Sequence, residues 1–166
     1  KDPANSIWVW SPGTRPHMDT LQSLYGKTGA VISAVDLVQG IGVLGGMEKI
    51  SVEGATGLFD TNYEGKAAAA LDAIARHDMV YVHVEATDEA GHAKDLELKI
   101  RCIEYLDDRL VRPILEGIEK MSEPVIVSVL PDHPTPVETG QHSSDPVPVA
   151  IWQPGVASDG VQGYDE

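Results

Sequence analysis

The stretch VYVHVEATDEAGHAKD, residues 80–95, joins a strongly apolar segment to an acidic one. Residues 79–84 form a nearly continuous apolar run, which is the pattern of a short strand covered on both faces of a parallel sheet. Asp88 and His92 follow at once and stand four residues apart. Ligands of open parallel sheets bind beyond the carboxyl ends of the strands. The stretch therefore predicts a buried strand that brings a carboxylate and an imidazole to such a rim.

The rest of the chain continues this alternation of strands and helices. Residues 64–76 are rich in alanine and predict a helix. A second helix is predicted from Leu96, where apolar residues recur every three or four positions, and Pro113 is expected to kink or split it near its end. The other predicted strands are residues 7–10, 30–34, 125–130 and 147–152. The pattern predicts an α/β fold in one domain, residues 1–166, built as a three-layer αβα sandwich with a mostly parallel sheet. The tail from Gly155 lacks apolar periodicity and is expected to be frayed or truncated.

The segment from Gly40 to Gly45 reads GIGVLG and matches the GxGxxG pattern of dinucleotide-binding folds. That pattern binds pyrophosphate when its glycines form the tight turn directly after a strand. Here VDLVQ separates the predicted strand from the first glycine. We therefore expect a helix whose small residues pack closely on the sheet, with nucleotide binding as the less favoured alternative.

Composition narrows the classes of function. The chain has 166 residues, 26 acidic and 12 basic side chains, and a net charge of −14. This charge argues against nucleic acids and anionic membrane surfaces as partners, and no apolar run is long enough to span a membrane. The single cysteine, Cys102, is expected to be a small core residue. It cannot form a disulfide within the chain, which favours a reducing cytoplasmic location. A phosphorylated substrate would be repelled unless divalent cations reversed the charge locally.

Further polar residues are predicted at the same rim as Asp88 and His92. They follow the strand at 125–130 or precede the strand at 147–152, and they complete a set of two aspartates and three histidines: Asp88, His92, Asp132, His133 and His142. Imidazole and carboxylate together suit Zn²⁺ or Mn²⁺, and such a set could hold two ions that share a substrate oxygen. The alternative is structural: an aspartate before a helix is often its N-cap, and the prolines around residues 132–133 favour a turn.

Five stretches carry a resemblance to a known family: GAVISAVDLVQGIGVLGGM (29–47), EGATGLFDTNYEGKA (53–67), VHVEATDEAGH (82–92), PDHPTP (131–136) and HSSDPVPV (142–149). Over most of residues 5–155 the chain resembles the C-terminal part of the archaeal-type cofactor-independent phosphoglycerate mutases, members of the alkaline phosphatase superfamily. The resemblance implies a cytoplasmic glycolytic isomerase that interconverts 3-phosphoglycerate and 2-phosphoglycerate through a phosphoserine intermediate. It implies that Asp88, His92 and His142 hold one divalent ion, and that Asp132 and His133 help to hold a second. Asp88 and His92 are then expected to lie in one tight turn, in which Gly91 keeps the backbone clear. The ions would be Mn²⁺ or Zn²⁺, or else Mg²⁺ or Co²⁺.

The chain departs from that family in one respect. In the superfamily an aspartate and the nucleophilic serine or threonine come early in the sequence, and nothing here takes their place. We therefore expect this chain to be a truncated C-terminal portion with no catalytic nucleophile of its own and no turnover in isolation. Ser143 and Ser144 beside His142 are expected to be polar loop residues, because no base is ordered beside them.

Supporting roles are predicted for several other side chains. Anionic substrate needs cationic contacts, and Arg15 and Lys66 are the candidates, with solvated surface charges as the alternative. Glu85 and Asp95 are expected to orient the ring of His92, since metal-bound imidazoles usually donate their second N–H to an oxygen. His83 is expected to be structural, and Trp8 and Trp10 to belong to the core.

Two other functions remain open at this level. One keeps the fold and the metals but changes the reaction to that of a phosphatase, or of another phosphoryl transferase acting on a small phosphorylated acid. The other is a binding domain without catalysis, in which the histidines and aspartates are ordinary loop residues. The sequence does not indicate the oligomeric state.

Overall fold

A parallel three-stranded sheet forms the centre of the molecule. The computed structural model describes residues 6–7, 9, 12–161 and 163–164. The strands are β1 (Gly29–Ile32), β2 (Glu48–Ile50) and β3 (Met79–Val82), in the order β2–β1–β3. Ala30 pairs with Glu48 on one side of β1 and with Val80 on the other. The strands predicted at 30–34 and 79–84 are present but shorter. β2 was not predicted because it has only three residues, of which two are charged.

Both faces of β1 are covered by helices. Ala30, Val31 and Ile32 are all buried, and successive residues of a strand point to opposite faces. Helix α2 (Asp36–Leu44) lies on the face of Val31, since a Cβ added to Gly42 would stand 2.9 Å from the Cβ of Val31. This contact confirms that the GxGxxG segment is a helix packed closely on the sheet, not a phosphate-binding turn.

The main apolar core lies on the opposite face. It is built from helices α3 (Tyr63–Ile74), α4 (Ala86–His92) and α5 (Leu96–Leu106), and it includes Val82 of β3. Its buried members are Tyr63, Ala67, Ala86, Ala90, Cys102 and Leu110. With α2 on one face and α3 on the other, the sheet is the middle of three layers. The buried position of Cys102 confirms its predicted role as a small core residue.

The helices begin and end where the sequence supplies the necessary groups. Asn62 caps α3 by accepting from the N–H of Gly65 at 2.8 Å, and Asp95 caps α5 by accepting from the N–H of Leu98 at 2.9 Å. Helix α5 continues through a π-helical turn (Asp107–Val111) into α6 (Arg112–Ile118). Pro113 lies in the first turn of α6, directly after this irregularity, and the predicted interruption of the long helix is confirmed.

The last two strands depart from the prediction of one mostly parallel sheet. β4 (Val127–Val129) and β5 (Ala150–Trp152) pair with each other antiparallel, as a separate two-stranded sheet. The strand predicted at 7–10 is wrong for Ile7 and Val9, which are exposed and lie outside any strand. Trp8 and Trp10 lie outside the described residues.

Two further segments complete the described part of the chain. A short helix, α1 (Leu21–Tyr25), precedes β1, is capped by Thr20, and was not predicted. No helix or strand forms in the described part of the tail beyond Gly155. Among the described residues, none of the helices has the length and apolar character needed to cross a membrane.

Candidate metal centre

Asp88 and His92 lie on one face of α4, at the carboxyl end of β3. The connection from β3 to α4 has only three residues, 83–85, so the helix begins immediately beyond the sheet. Residues four apart on a helix are neighbours, and the Oδ2 of Asp88 lies 3.1 Å from the Nε2 of His92. The sequence prediction placed both residues in a tight turn. The structure corrects this to a helix, whose i, i+4 spacing brings the two side chains together.

His142 completes a three-residue cluster. Its Nε2 lies 3.3 Å from the Oδ1 of Asp88 and 3.0 Å from the Nε2 of His92. One potential ligand atom from each of the three residues falls within 4.8 Å of the other two. The Asp88 side chain is 21% exposed and that of His142 is 52% exposed, so the cluster opens to solvent on the side of His142. We call these three residues the Asp88 cluster.

The backbone carbonyl of Gly140 sets the orientation of the His92 ring. The Nδ1 of His92 lies 2.9 Å from this carbonyl and must donate to it, because a carbonyl only accepts. In the neutral ring the Nε2 then presents a lone pair to the cluster. The same carbonyl, followed by the charges of Asp88 and Glu89, raises the pKa of His92 above its ordinary value. Gly140 has a φ of 63°, which favours glycine at this point, where the backbone lies close to the ring of His92.

The donor set of the Asp88 cluster fits a divalent cation. Two nitrogens bound to one tetrahedral ion at ordinary Zn–N lengths would lie roughly 3.3 Å apart, close to the 3.0 Å between the two Nε2 atoms. The two lone pairs would repel one another unless a proton or a cation lay between them. Glu85 and Glu89 form a second group with Asp88, made of oxygen donors only. The imidazoles make the Asp88 cluster the better match for Zn²⁺ or Mn²⁺.

His133 and Asp132 lie at the same rim, beside this cluster. The rings of His133 and His142 are 3.7 Å apart between centroids. The Nε2 of His133 is 3.5 Å from the Oδ2 of Asp132, whose side chain is 72% exposed. Burial, and then the nearby charge of Asp132, raises the pKa of Tyr81 on β3. The structure thus brings all five sequence-predicted residues to one edge, with Asp132 and His133 as a separate pair.

Thr135 and Lys99, which the sequence reasoning did not select, hold this edge together with Gly91. The hydroxyl of Thr135, a buried residue, donates to the Oδ1 of Asp88, and its carbonyl accepts from the Nζ of Lys99 on α5. Gly91 of α4 faces the same loop: a Cβ there would collide with the carbonyl of Thr135 and stand 2.9 Å from its Cγ2. The signal for Thr135 in the sequence is slight, a threonine between two prolines in PDHPTP, and its significance depends on the tertiary contact with Asp88.

The predicted partners of His92 have other roles. Asp95 caps α5, as described above, and the Oε2 of Glu85 lies 3.3 Å from the Nε2 of His83. The prediction that these two carboxylates orient His92 is therefore wrong, because the Gly140 carbonyl does so. The other nitrogen of His83 lies 3.2 Å from the Oγ of Ser33, so the structural role predicted for His83 is confirmed.

The Ser33–His83–Glu85 chain has the order of a nucleophile, a base and an orienting carboxylate. Ser33, however, is buried, and its Oγ accepts from the backbone N–H of Val35 at 3.0 Å. These contacts make it a structural link between the ends of β1 and β3. In the loop before β5, the Oγ of Ser143 donates to Asp145 at 2.7 Å, and Ser144 is exposed, as expected for polar loop residues.

Lys66 does not occupy a substrate-binding position. Its side chain is only 1% exposed, and its Nζ donates to the carbonyl of His83 at 3.0 Å. Burial lowers the pKa of this ammonium group, against a smaller opposing effect of Glu85. Lys66 therefore supports the connection that leads from β3 into α4. Arg15 is exposed and, in the described part of the chain, has no hydrogen bond or ion pair that would direct it to the cluster.

Comparisons with known proteins agree with this architecture. A family model described as "Metalloenzyme superfamily" matches residues 2–164. The chain is 54% identical to a 2,3-bisphosphoglycerate-independent phosphoglycerate mutase of Methanosarcina acetivorans and 53% identical to a probable one of Geobacter sulfurreducens. In both cases the match covers 100% of this chain and 42% of the relative, so the chain spans less than half the length of these relatives.

Solved structures give the same result for the fold. A protein from Pyrococcus horikoshii superposes with a TM-score of 0.76 at 34% identity, over 85% of this chain and 42% of that one. The cofactor-independent phosphoglycerate mutase of Thermoplasma acidophilum superposes with a TM-score of 0.57 at 21% identity, over 91% of this chain and 33% of that one, which supports the fold alone. The parallel sheet between helical layers fits the alkaline phosphatase-like architecture predicted from the sequence. From the match over residues 2–164, the chain belongs to the metalloenzyme superfamily.

Proposed function

We propose that this chain forms part of a metal-dependent phosphoglycerate mutase, which interconverts 3-phosphoglycerate and 2-phosphoglycerate through a phosphoserine intermediate. The observation that carries the proposal is the convergence of Asp88, His92 and His142 within 4.8 Å at the carboxyl end of a parallel strand. The names of relatives that are about half identical to the chain support the same reaction. The protein would act in the cytoplasm, as an isomerase of glycolysis.

In this proposal the Asp88 cluster holds one divalent ion. Asp132 and His133 would contribute to a second ion, together with ligands that this chain does not supply. Mn²⁺ and Zn²⁺ suit two imidazoles and a carboxylate better than Mg²⁺, which prefers oxygen ligands, and Co²⁺ is also compatible with them. When bound, such a pair of ions polarises a phosphoryl group and lowers the pKa of a hydroxyl nucleophile.

The chain's own residues would bind and orient. Asp88 supplies negative charge between two imidazoles, and the Gly140 carbonyl fixes the tautomer of His92 that leaves its Nε2 free for a cation. The ions would also offset the net charge of −14 where a small phosphorylated acid approaches. We assign no nucleophile to this chain, because Ser33 is buried and the hydroxyl of Ser143 is hydrogen-bonded to the carboxylate of Asp145.

A full-length mutase that contains this sequence tests the proposal. With Mn²⁺ present, ³¹P NMR should record conversion of 3-phosphoglycerate to 2-phosphoglycerate. His142→Ala and Asp88→Asn should each reduce the rate at least tenfold, as expected for loss of a metal ligand. Asp145→Asn is the matched control for Asp88→Asn: it alters an exposed carboxylate in the same loop as His142 and should leave the rate unchanged.

Two results would contradict the proposal. One is full activity after removal of all divalent metal. The other is release of inorganic phosphate without any isomerisation, which would instead indicate a phosphatase of the same superfamily. The isolated chain of 166 residues is expected to bind metal without turning over the substrate.

A further inference from the structure

We propose that Thr135 is a positioning residue of the metal centre: its hydroxyl fixes the carboxylate of Asp88, and Lys99 and Gly91 hold the loop from which it acts. This inference rests on the proposed function, because it assigns to Thr135 a role in binding the ion that the Asp88 cluster would hold. Neither the family model nor the names of the relatives assigns any role to this residue.

The hydroxyl of Thr135 determines how the two carboxylate oxygens of Asp88 are used. It donates to the Oδ1, the same oxygen that lies 3.3 Å from the Nε2 of His142. The Oδ2 lies 3.1 Å from the Nε2 of His92. Rotation of the carboxylate would break the contact with the hydroxyl and both contacts with the imidazoles. The hydroxyl therefore stabilises the one orientation in which each oxygen faces a different histidine.

Burial makes this hydrogen bond consequential. Thr135 is only 3% exposed, so its hydroxyl cannot turn to bulk water if Asp88 moves away. The hydroxyl also lies near the Nδ1 of His133, at the longer distance of 3.4 Å. A valine would fill the same space without the hydroxyl, so the polar group is not required by packing alone.

The backbone of the loop is fixed to two helices. The carbonyl of Thr135 accepts from the Nζ of Lys99 on α5. Gly91 lets α4 approach this carbonyl, because a side chain at position 91 would collide with it. The position of Thr135 relative to Asp88 is therefore set by both helices.

The same loop also carries His142 to the cluster. The N–H of Ser143 donates to the carbonyl of Pro134 at 3.1 Å, and the N–H of Gly140 donates to the carbonyl of Pro136 at 2.8 Å. These bonds close residues 134–143 into one unit, with Thr135 near its beginning and His142 near its end. Docking of Thr135 on Asp88 thus places His142 opposite the same carboxylate.

The test compares Thr135→Val, which removes the hydroxyl, with Thr135→Ser, which keeps it. Affinities of the 166-residue chain for Mn²⁺ and Zn²⁺ are measured by isothermal titration calorimetry. Outer-shell partners of metal ligands typically change affinity about 10- to 100-fold, so Thr135→Val should weaken binding by about that factor. Thr135→Ser should bind within about threefold of the wild type, because it restores the hydrogen bond to Asp88.

Two further measurements separate positioning from a general effect on folding. Thr14→Val makes the same change at an exposed hydroxyl outside this loop and should leave affinity unchanged. The visible absorption of bound Co²⁺ should change for Thr135→Val and not for Thr135→Ser. If Thr135→Val does not fold, Lys99→Met takes its place and should weaken binding at least threefold, since it releases the loop from α5.

The outcomes distinguish this inference from the proposed function. If the wild type binds neither Mn²⁺ nor Zn²⁺, the proposed metal function fails and the role of Thr135 fails with it. If the wild type binds and the folded Thr135→Val variant binds equally well, the positioning role alone is refuted. Equal weakening by Thr135→Ser and Thr135→Val would refute it as well, because the retained hydroxyl would then have no effect.

Discussion

Replacing Gly91 by alanine tests whether the close contact between α4 and the loop at 131–136 is needed for the candidate metal centre. The added Cβ would collide with the backbone carbonyl of Thr135 and would also stand 3.0 Å from the Nζ of Lys99. The lysine can swing away, but the carbonyl is part of the backbone and can move only if the loop moves. The loop should therefore be displaced from α4, and its contact with Asp88 should loosen.

The size of the effect follows from two opposing contributions. Inserting a methyl group into a packed site costs about 1–3 kcal/mol, and replacing glycine by alanine inside a helix recovers about 1 kcal/mol. We expect Gly91→Ala to lower the free energy of unfolding by up to about 2 kcal/mol, the difference between these terms. For a chain of this size that corresponds to a melting temperature lower by up to roughly 8 °C.

The assay is urea unfolding followed by circular dichroism, together with titration of Zn²⁺. Gly40→Ala is the matched control, because Gly40 is also in a helix and a Cβ there meets nothing within 4 Å. It should raise the free energy of unfolding by about 0.5–1 kcal/mol and leave metal affinity unchanged. Stabilisation by Gly91→Ala equal to that of the control, with unchanged affinity for Zn²⁺, would refute the reasoning.

Three other changes follow from the structure. Gly42→Ala places a Cβ 2.9 Å from that of Val31 and, after a gain of about 1 kcal/mol in helix propensity, should lower the free energy of unfolding by up to about 2 kcal/mol, as measured in urea; stabilisation would show that α2 does not pack closely on the sheet. The N–H of Thr28, and then nearby Lys27, lower the pKa of Asp78 from 3.8 to about 2, so its contribution to stability is complete above pH 3.8 and is lost as the pH falls through 2. Asp78→Asn should thus destabilise the chain more at pH 7 than at pH 2, and an equal effect at both values in urea unfolding would contradict this assignment. Burial raises the pKa of the Cys102 thiol, so a thiol reagent at pH 8 should label it only as fast as the chain unfolds; fast labelling of the folded chain, read by mass spectrometry, would contradict its place in the core.

The parts of the fold that were predictable are those in which the local pattern and the tertiary environment agree. β1 is an apolar run because it is the central, fully buried strand, and β3 is one because it is partly buried. β2 contains Glu48 and Lys49 and has no such pattern. The antiparallel pairing of β4 with β5 was missed because pairing partners are set by contacts across the chain, not by local sequence.

The candidate site divides in the same way. The spacing of Asp88 and His92 is local, so their proximity was predictable, although the segment proved to be a helix and not a turn. His142 lies 50 residues after His92. Its position before a predicted strand placed it at the same rim, and the resemblance to a family indicated that it would share an ion with Asp88 and His92. The burial of Lys66 could have been predicted from its helical phase, because it lies on α3 beside Tyr63 and Ala67, both of which are buried. The charge of Lys66 suggested a contact with substrate, but its position on the helix indicated correctly that the side chain is buried.

The most direct test of the central claim is the anomalous diffraction of crystals grown with Zn²⁺, recorded above and below the zinc absorption edge. We predict a peak about 2.0–2.1 Å from the Nε2 of His92 and of His142, with an oxygen of Asp88 as the third protein ligand. A peak coordinated only by the carboxylates of Glu85, Asp88 and Glu89, or no peak at the Asp88 cluster under saturating Zn²⁺, would contradict the account.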